Sequence, residues 1–184
     1  MATLYLSVSE TGVNLKTSNS KDDSRVIEFS NNGVSDSLTG APAPKQFFEN
    51  LAREISQSQR KYQSISIVTM KLLPEISDIK LKNIKFEKNL SLLSNCIKSN
   101  MRGGDFYGRL AENGFWLCIQ GELEEATRAA ERIEAKFSEK LKDINTGAQT
   151  EFTFSEWIRN CDVNIWIKEI DTQFFSESVG KVSK

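Results

Sequence analysis

From Lys45 to Glu177 the apolar residues change period repeatedly, from the three-and-four spacing of helices to the two-residue spacing of strands and back. That alternation restricts the chain to folds in which helices pack on a sheet. Lys45–Arg60 reads as a helix with Phe47, Phe48, Leu51 and Ile55 on one face. Ser64–Leu73 reads as a strand, rich in β-prone residues: Ile65, Ile67, Val68, Met70 and Leu72. A long, mostly helical stretch follows Pro74 and runs to about Met101, with Leu90, Leu93, Ile97 and Met101 in register. Phe106–Leu110 and Phe115–Gln120 flank the short link Ala111-Glu-Asn-Gly114, which predicts a β-hairpin. Glu122–Leu141 is a helix whose acidic first turn suits the helix dipole. Glu151–Trp157 is a strand and Val163–Glu177 a last helix. The order αβαββαβα implies an α+β fold, with a central, mostly antiparallel sheet flanked by helices. Trp116, Trp157 and Trp166 fall on apolar faces and are assigned to the core.

Residues 1–35 have a different texture. Thr3–Ser9, Val13–Lys16 and Arg25–Phe29 are strand-like, and Gly12, Ser18–Asp23 and Asn31–Gly33 supply turns. The segment is expected to form an N-terminal β-hairpin extension or three-stranded patch. It is too small to be stable alone, so it must pack on another surface. The main domain is assigned to residues 36–184. It opens with the turn Asp36-Ser-Leu-Thr-Gly40, after which Ala41-Pro-Ala-Pro44 delays the first helix.

The chain contains no histidine. Ser-His-Asp and Cys-His catalysis, a histidine phosphorelay within the chain and His-ligated metal sites are excluded. A formal net charge of -1 gives no global attraction to nucleic acid or to an anionic membrane. The three cysteines, Cys96, Cys118 and Cys161, form no C-x-x-C pair and read as reduced thiols. No signal-peptide pattern and no apolar run of about 20 residues is present. The expectation is a cytoplasmic chain with no direct membrane insertion and no nucleic-acid partner.

Four segments, in order and at matching separations, resemble the GGDEF family, the diguanylate cyclases that make cyclic di-GMP from two GTP. Asp36-Ser-Leu-Thr-Gly40 is similar to D-x-L-T-G, and Arg109-Leu-Ala-Glu-Asn-Gly-Phe115 to the signature R-[LY]-G-G-[DE]-E-F. Ala130-Glu-Arg-Ile133 is similar to the family's A-E-R-[IL]. Ile170-Asp-Thr-Gln-Phe-Phe175 with Gly180-Lys181 is similar to its C-terminal pattern. The resemblance spans Asp36 to about Lys181 and implies a nucleotidyl-cyclase-like fold.

The resemblance also shows where this sequence departs. Family cyclases hold Mg²⁺ with acids at the end of the first core strand and at the third signature position. Those places fall at about Lys71, Leu73 and Asn113, and the next signature acid at Gly114. The two signature glycines become Ala111 and Glu112, while Phe115 keeps the final aromatic. A carboxylate at Glu112 would repel phosphate. The phosphate-binding lysine of the last helix falls on Glu177 or Ser178. Without the metal there is no Lewis acid for the leaving pyrophosphate. The resemblance therefore implies a degenerate domain: no cofactor, no bound metal and no cyclase activity. Arg109 is assigned a structural role.

One family feature is retained. The family's inhibitory site, R-x-x-D, ends five residues before the signature. Arg102-Gly-Gly-Asp105 stands in that register, and the A-E-R match adds Arg132. Arginine can fork onto a phosphate or onto guanine O6/N7, and a carboxylate can accept from guanine N–H groups. The helical i±4 neighbours of Arg132 are Arg128 and Lys136, so a helix-face ion pair does not account for it. The expected function is an inactive GGDEF domain that binds cyclic di-GMP through Arg102, Asp105 and Arg132 and relays the signal to a protein partner or a homodimer. The alternative is a nucleotide-independent interaction scaffold. Convergence of the three residues on one open site favours the first. Internal pairing of Asp105 with a filled pocket favours the second.

Overall fold

The computed structural model describes residues 31–73, 79–144 and 147–175. The expected order is observed: α1 (Pro44–Lys61), β1 (Ile65–Leu73), α2 (Ile79–Asn100), β2 (Phe106–Ala111), β3 (Gly114–Gln120), α3 (Leu123–Asp143), β4 (Gln149–Glu156) and α4 (Val163–Phe175). The N-terminal strands expected before Asn31 and the final positions Glu177 and Ser178 lie outside the described residues. Among the described residues no helix is long and apolar enough to cross a membrane.

The four strands form one sheet in the order β2-β3-β1-β4, and every neighbouring pair is antiparallel. Both faces are covered. Val68, Met70, Leu72, Phe115, Leu117 and Ile119 meet the apolar faces of α2 and α3. Ile65, Ile67, Trp116 and Cys118 meet α1 and α4, together with Trp157 and Trp166. Double coverage explains why β1 and β3 read as almost unbroken apolar runs instead of clean alternations. At the edge, β4 is only half-buried, and its Thr153 hydroxyl pairs with that of Thr69 on β1 at 2.6 Å. Burial pushes the Cys118 thiol well above its ordinary pKa and the Cys96 thiol up as well, so both are held protonated.

Local boundaries follow from capping. Pro44 starts α1 at a position where its missing N–H costs nothing. Glu122 is not in the third helix but caps it: Glu122 and Glu125 exchange side-chain and backbone bonds in a reciprocal capping box. The hairpin is tighter than the sequence pattern implies. Ala111 and Gly114 belong to the strands, leaving Glu112 and Asn113 as the turn, and the β2–β3 register shifts between Arg109 and Ala111.

Arg109 is fully buried. Its guanidinium meets the Asp36 carboxylate at 2.8 Å and also donates to the carbonyls of Ala111 (3.2 Å) and Glu112 (2.6 Å). Asp36 in turn accepts from the Thr39 N–H (2.7 Å) and hydroxyl (2.5 Å). The Arg109 N–H donates to the Pro42 carbonyl at 3.0 Å. The opening turn, β2 and the hairpin tip are thus one charge-assisted cluster. Asp36→Ala strands a buried guanidinium and should cost about 3–5 kcal/mol in urea denaturation. Glu124→Ala, which removes an exposed partner of Arg128, should cost less than about 1 kcal/mol.

Candidate functional site

The positions singled out in the sequence gather at opposite ends of the sheet. At one end, β1 stops beside the hairpin. Lys71 pairs in register with Gly114. The Leu72 N–H donates to the Asn113 carbonyl at 2.8 Å, and the Asn113 side-chain amide donates to the Leu72 carbonyl at 3.2 Å. Asn113 therefore closes the hairpin onto β1 with both backbone and side chain. The Lys71 ammonium donates to the Phe174 carbonyl at 3.3 Å and lies 5.7 Å from the centre of that ring. Phe174, buried in the last turn of α4, sits directly on Gly114 and packs edge-on against Trp116. A Cβ at position 114 would overlap the Phe174 ring, so a glycine is required there for packing.

Mg²⁺ requires oxygen ligands, mainly carboxylates with phosphate and water. This end of the sheet offers an ammonium, an aliphatic side chain, an amide and a glycine at Lys71, Leu73, Asn113 and Gly114. The donor set does not fit the metal. Among the described residues no group of three or more His, Cys, Asp or Glu side chains could hold a metal ion.

At the other end, the turn between α2 and β2 carries Arg102-Gly-Gly-Asp105. Both Asp105 oxygens accept main-chain N–H groups, from Arg102 at 3.2 Å and from Gln120 at 3.0 Å. Gly104 has φ +103°, a conformation that glycine alone adopts easily, and it lies against the Gln120 side chain. Gln120 donates onward to Glu54 of α1 at 2.6 Å. The turn is thereby braced on β3 and α1. The Arg102 side chain is exposed, and among the described residues its guanidinium makes no hydrogen bond or ion pair. Arg132, half-buried on α3, reaches across to the carbonyl of Asn100 at 2.9 Å. It caps the end of α2 just before the turn. Its helix neighbours are used elsewhere: Arg128 pairs with Glu124 and Glu125, and Lys136 with Glu139.

The structure thus brings Arg102, Asp105 and Arg132 to one corner, with the Asp105 carboxylate turned onto the main chain. It gathers Lys71, Asn113 and Gly114 at the opposite end with a residue the sequence reading did not single out as part of a site, Phe174. The i,i+4 pair Ile170 and Phe174 was a visible signal for a buried helix face, but not for contact with the hairpin. The bracing pair Gln120–Glu54 had no sequence signal, since its members lie 66 residues apart.

The sequence model described as "Diguanylate cyclase, GGDEF domain" matches residues 34–175. The chain belongs to the GGDEF family. The GGDEF domain of DgcB from Caulobacter crescentus, solved in complex with c-di-GMP, superposes with a TM-score of 0.63 at 12% identity, covering 79% of this chain and 90% of that one. A DGC protein from Thermotoga maritima gives 0.56 at 19% identity, covering 73% and 96%. Diguanylate cyclase SiaD from Pseudomonas aeruginosa, solved with its activator SiaC, gives 0.60 at 20% identity, covering 75% of this chain and 55% of that one. At these identities the likeness is one of fold. No curated protein sequence matches the chain.

The Phe174–Gly114 contact makes a specific prediction about this GGDEF domain. Gly114→Ala should lower stability by about 1–3 kcal/mol through overpacking. In the Phe174→Ala background the same substitution should cost clearly less, because the ring it strikes is gone and only the Met70 carbonyl remains close. A double-mutant cycle in urea measures the coupling.

Proposed function

We propose that this GGDEF domain makes no cyclic di-GMP and is a receptor for it, using Arg102, Asp105 and Arg132. The observation that carries the reading is the exposed Arg102 guanidinium, without a partner among the described residues, on a turn braced by β3 and α1, with Arg132 at its base. Cyclic di-GMP presents two phosphates and two guanines. A free guanidinium can fork onto either group without first breaking a protein contact. Asp105 spends two acceptor positions on the main chain. A carboxylate has about four, so its outer lone pairs stay available to guanine N–H groups. The bonds already made fix its orientation, which lowers the cost of ordering on binding. DgcB from C. crescentus is known in complex with c-di-GMP, and the fold shared with it supports the same ligand class here.

The inactive half of the proposal rests on chemistry. Catalysis in this family uses a metal to neutralise charge on the leaving pyrophosphate. Lys71, Leu73, Asn113 and Gly114 supply no carboxylate for it, and the Phe174 ring covers the glycine. Purified protein incubated with GTP and Mg²⁺ should form no cyclic di-GMP by chromatography, and a product peak would overturn this half.

Isothermal titration tests the receptor. Cyclic di-GMP should bind, and Arg102→Ala should weaken it by about 10- to 100-fold, the equivalent of one charged hydrogen-bonding group at about 1.5–3 kcal/mol. Arg128→Ala, on the same helix as Arg132 but paired with Glu124 and Glu125, should leave the affinity unchanged. No heat from the unaltered protein, or equal affinity in Arg102→Ala, would sink the receptor reading.

A second reading is favoured by the inward-turned Asp105 carboxylate and the Phe174-filled hairpin end: a nucleotide-independent scaffold that docks a protein. SiaD, a protein that contains a similar fold, is known in complex with its activator SiaC. Under that reading neither cyclic di-GMP nor GTP raises the thermal midpoint.

A further inference from the structure

The corner where α1 ends and β4 turns into α4 carries an arrangement that neither the core nor the ligand turn requires. Tyr62 ends α1 with φ 59°, the left-handed conformation in which glycine is usual and a bulky residue is strained. Its side chain is not buried in compensation: Tyr62 is 78% exposed. The Arg159 guanidinium carbon lies over the ring, 3.9 Å from its centre, steadied by a 3.3 Å bond that the guanidinium donates to the Gln59 carbonyl near the end of the same helix. Arg159 is itself held in a tight turn, closed by the Cys161 N–H on the Ile158 carbonyl and containing a second left-handed residue, Asn160 at φ 66°. The same segment exposes Ile158 (73%) and Ile165 (56%).

Single exposed apolar residues are ordinary on a protein surface. One exposed isoleucine on the loop that places an arginine over a strained tyrosine, and another in the first turn of the helix that follows, are not explained that way. Tyrosine and arginine are the side chains that most often dominate protein interfaces, because each supplies large contact area and directed polar groups. Charge selects the partner. Arg60, Lys61 and Arg159 are exposed here, and among the described residues none of them forms an ion pair. The nearby carboxylate of Asp162 is occupied capping α4, through the N–H groups of Asn164 and Ile165. The corner is therefore cationic with an apolar centre. Phosphate-bearing ligands would use the cations but gain nothing from Ile158 and Ile165.

We propose that this corner is a docking surface for an acidic, apolar-bearing segment of a protein partner, with the Tyr62–Arg159 pair as its anchor. The segment places aliphatic or aromatic side chains on Tyr62, Ile158 and Ile165 and carboxylates against Arg60, Lys61 and Arg159. The docking residues share no member with Arg102, Asp105 and Arg132, so the variants below leave that set unaltered.

The test uses the full chain, immobilised and panned with a library of short random peptides. Enriched peptides should combine Asp or Glu with aliphatic or aromatic residues. Their affinity should fall about tenfold or more in Arg159→Glu and in Tyr62→Gly. Tyr62→Gly separates docking from folding. Glycine relieves the left-handed backbone, so the thermal midpoint should hold or rise while peptide binding is lost. A lowered midpoint in Tyr62→Gly would mark Tyr62 as a structural prop and overturn the proposal. So would the absence of enriched peptides, enrichment of neutral or basic ones, or equal binding to the variants. Tighter binding of a labelled single-stranded oligonucleotide than of any peptide would overturn it in favour of nucleic acid. Concentration-dependent association of the chain with itself, abolished in Tyr62→Gly, would overturn it in favour of a second copy.

Discussion

The buried ion pair between Arg109 and Asp36 ties the opening turn of the domain to β2 and the hairpin tip. Removing two charges from water is costly, and their attraction offsets that cost only when the remaining hydrogen-bonding capacity is also filled. Here it is filled. The guanidinium reaches the Asp36 carboxylate and the carbonyls of Ala111 and Glu112, while Asp36 also accepts from Thr39. The consequence reaches beyond stability. The hairpin tip is held from two sides: by Arg109 in the strand before it, paired with Asp36 at the start of the domain, and by Asn113 of the tip itself, bonded to Leu72 of β1.

Packing holds the hairpin end as well. Asn113 joins the ladder to β1, and Gly114 admits the Phe174 ring, which Lys71 covers from above. Phe174 is buried there against Gly114 and Trp116, so this end of the sheet resembles core more than cleft. The opposite end keeps exposed arginine and a turn braced by hydrogen bonds. The proposed division of labour follows from that contrast. Recognition of an anion needs accessible cations held in place, whereas metal chemistry needs clustered carboxylates, and Lys71, Leu73, Asn113 and Gly114 supply none.

The secondary structure was legible because periodicity is a local property. A helix that buries one face and a strand buried on both faces each leave a pattern within about ten residues. Boundaries were less legible. Glu122 caps α3 instead of entering it, and Ala111 and Gly114 extend the hairpin strands, because caps and turns are decided by single hydrogen bonds that leave no repeat. At the sites, the residue types at Lys71, Asn113, Arg102 and Arg132 could be read off directly, and with them the chemistry available. Their partners could not. Arg132 bonds a carbonyl 32 residues away and Lys71 one 103 residues away.

The sequence by itself determined the α+β class, the order of its elements, membership of the GGDEF family and the residue types at Lys71, Leu73, Asn113 and Gly114. All of these depend on residue identity and short-range spacing. Only the tertiary structure decided that Asp105 faces the main chain, that Phe174 covers Gly114, that Arg109 lies wholly buried on Asp36, and that Arg159 lies over Tyr62 in the open. Each of those is a contact between distant segments. Such contacts form because burial and directional bonding are satisfied for the whole fold at once, and no local pattern carries that condition.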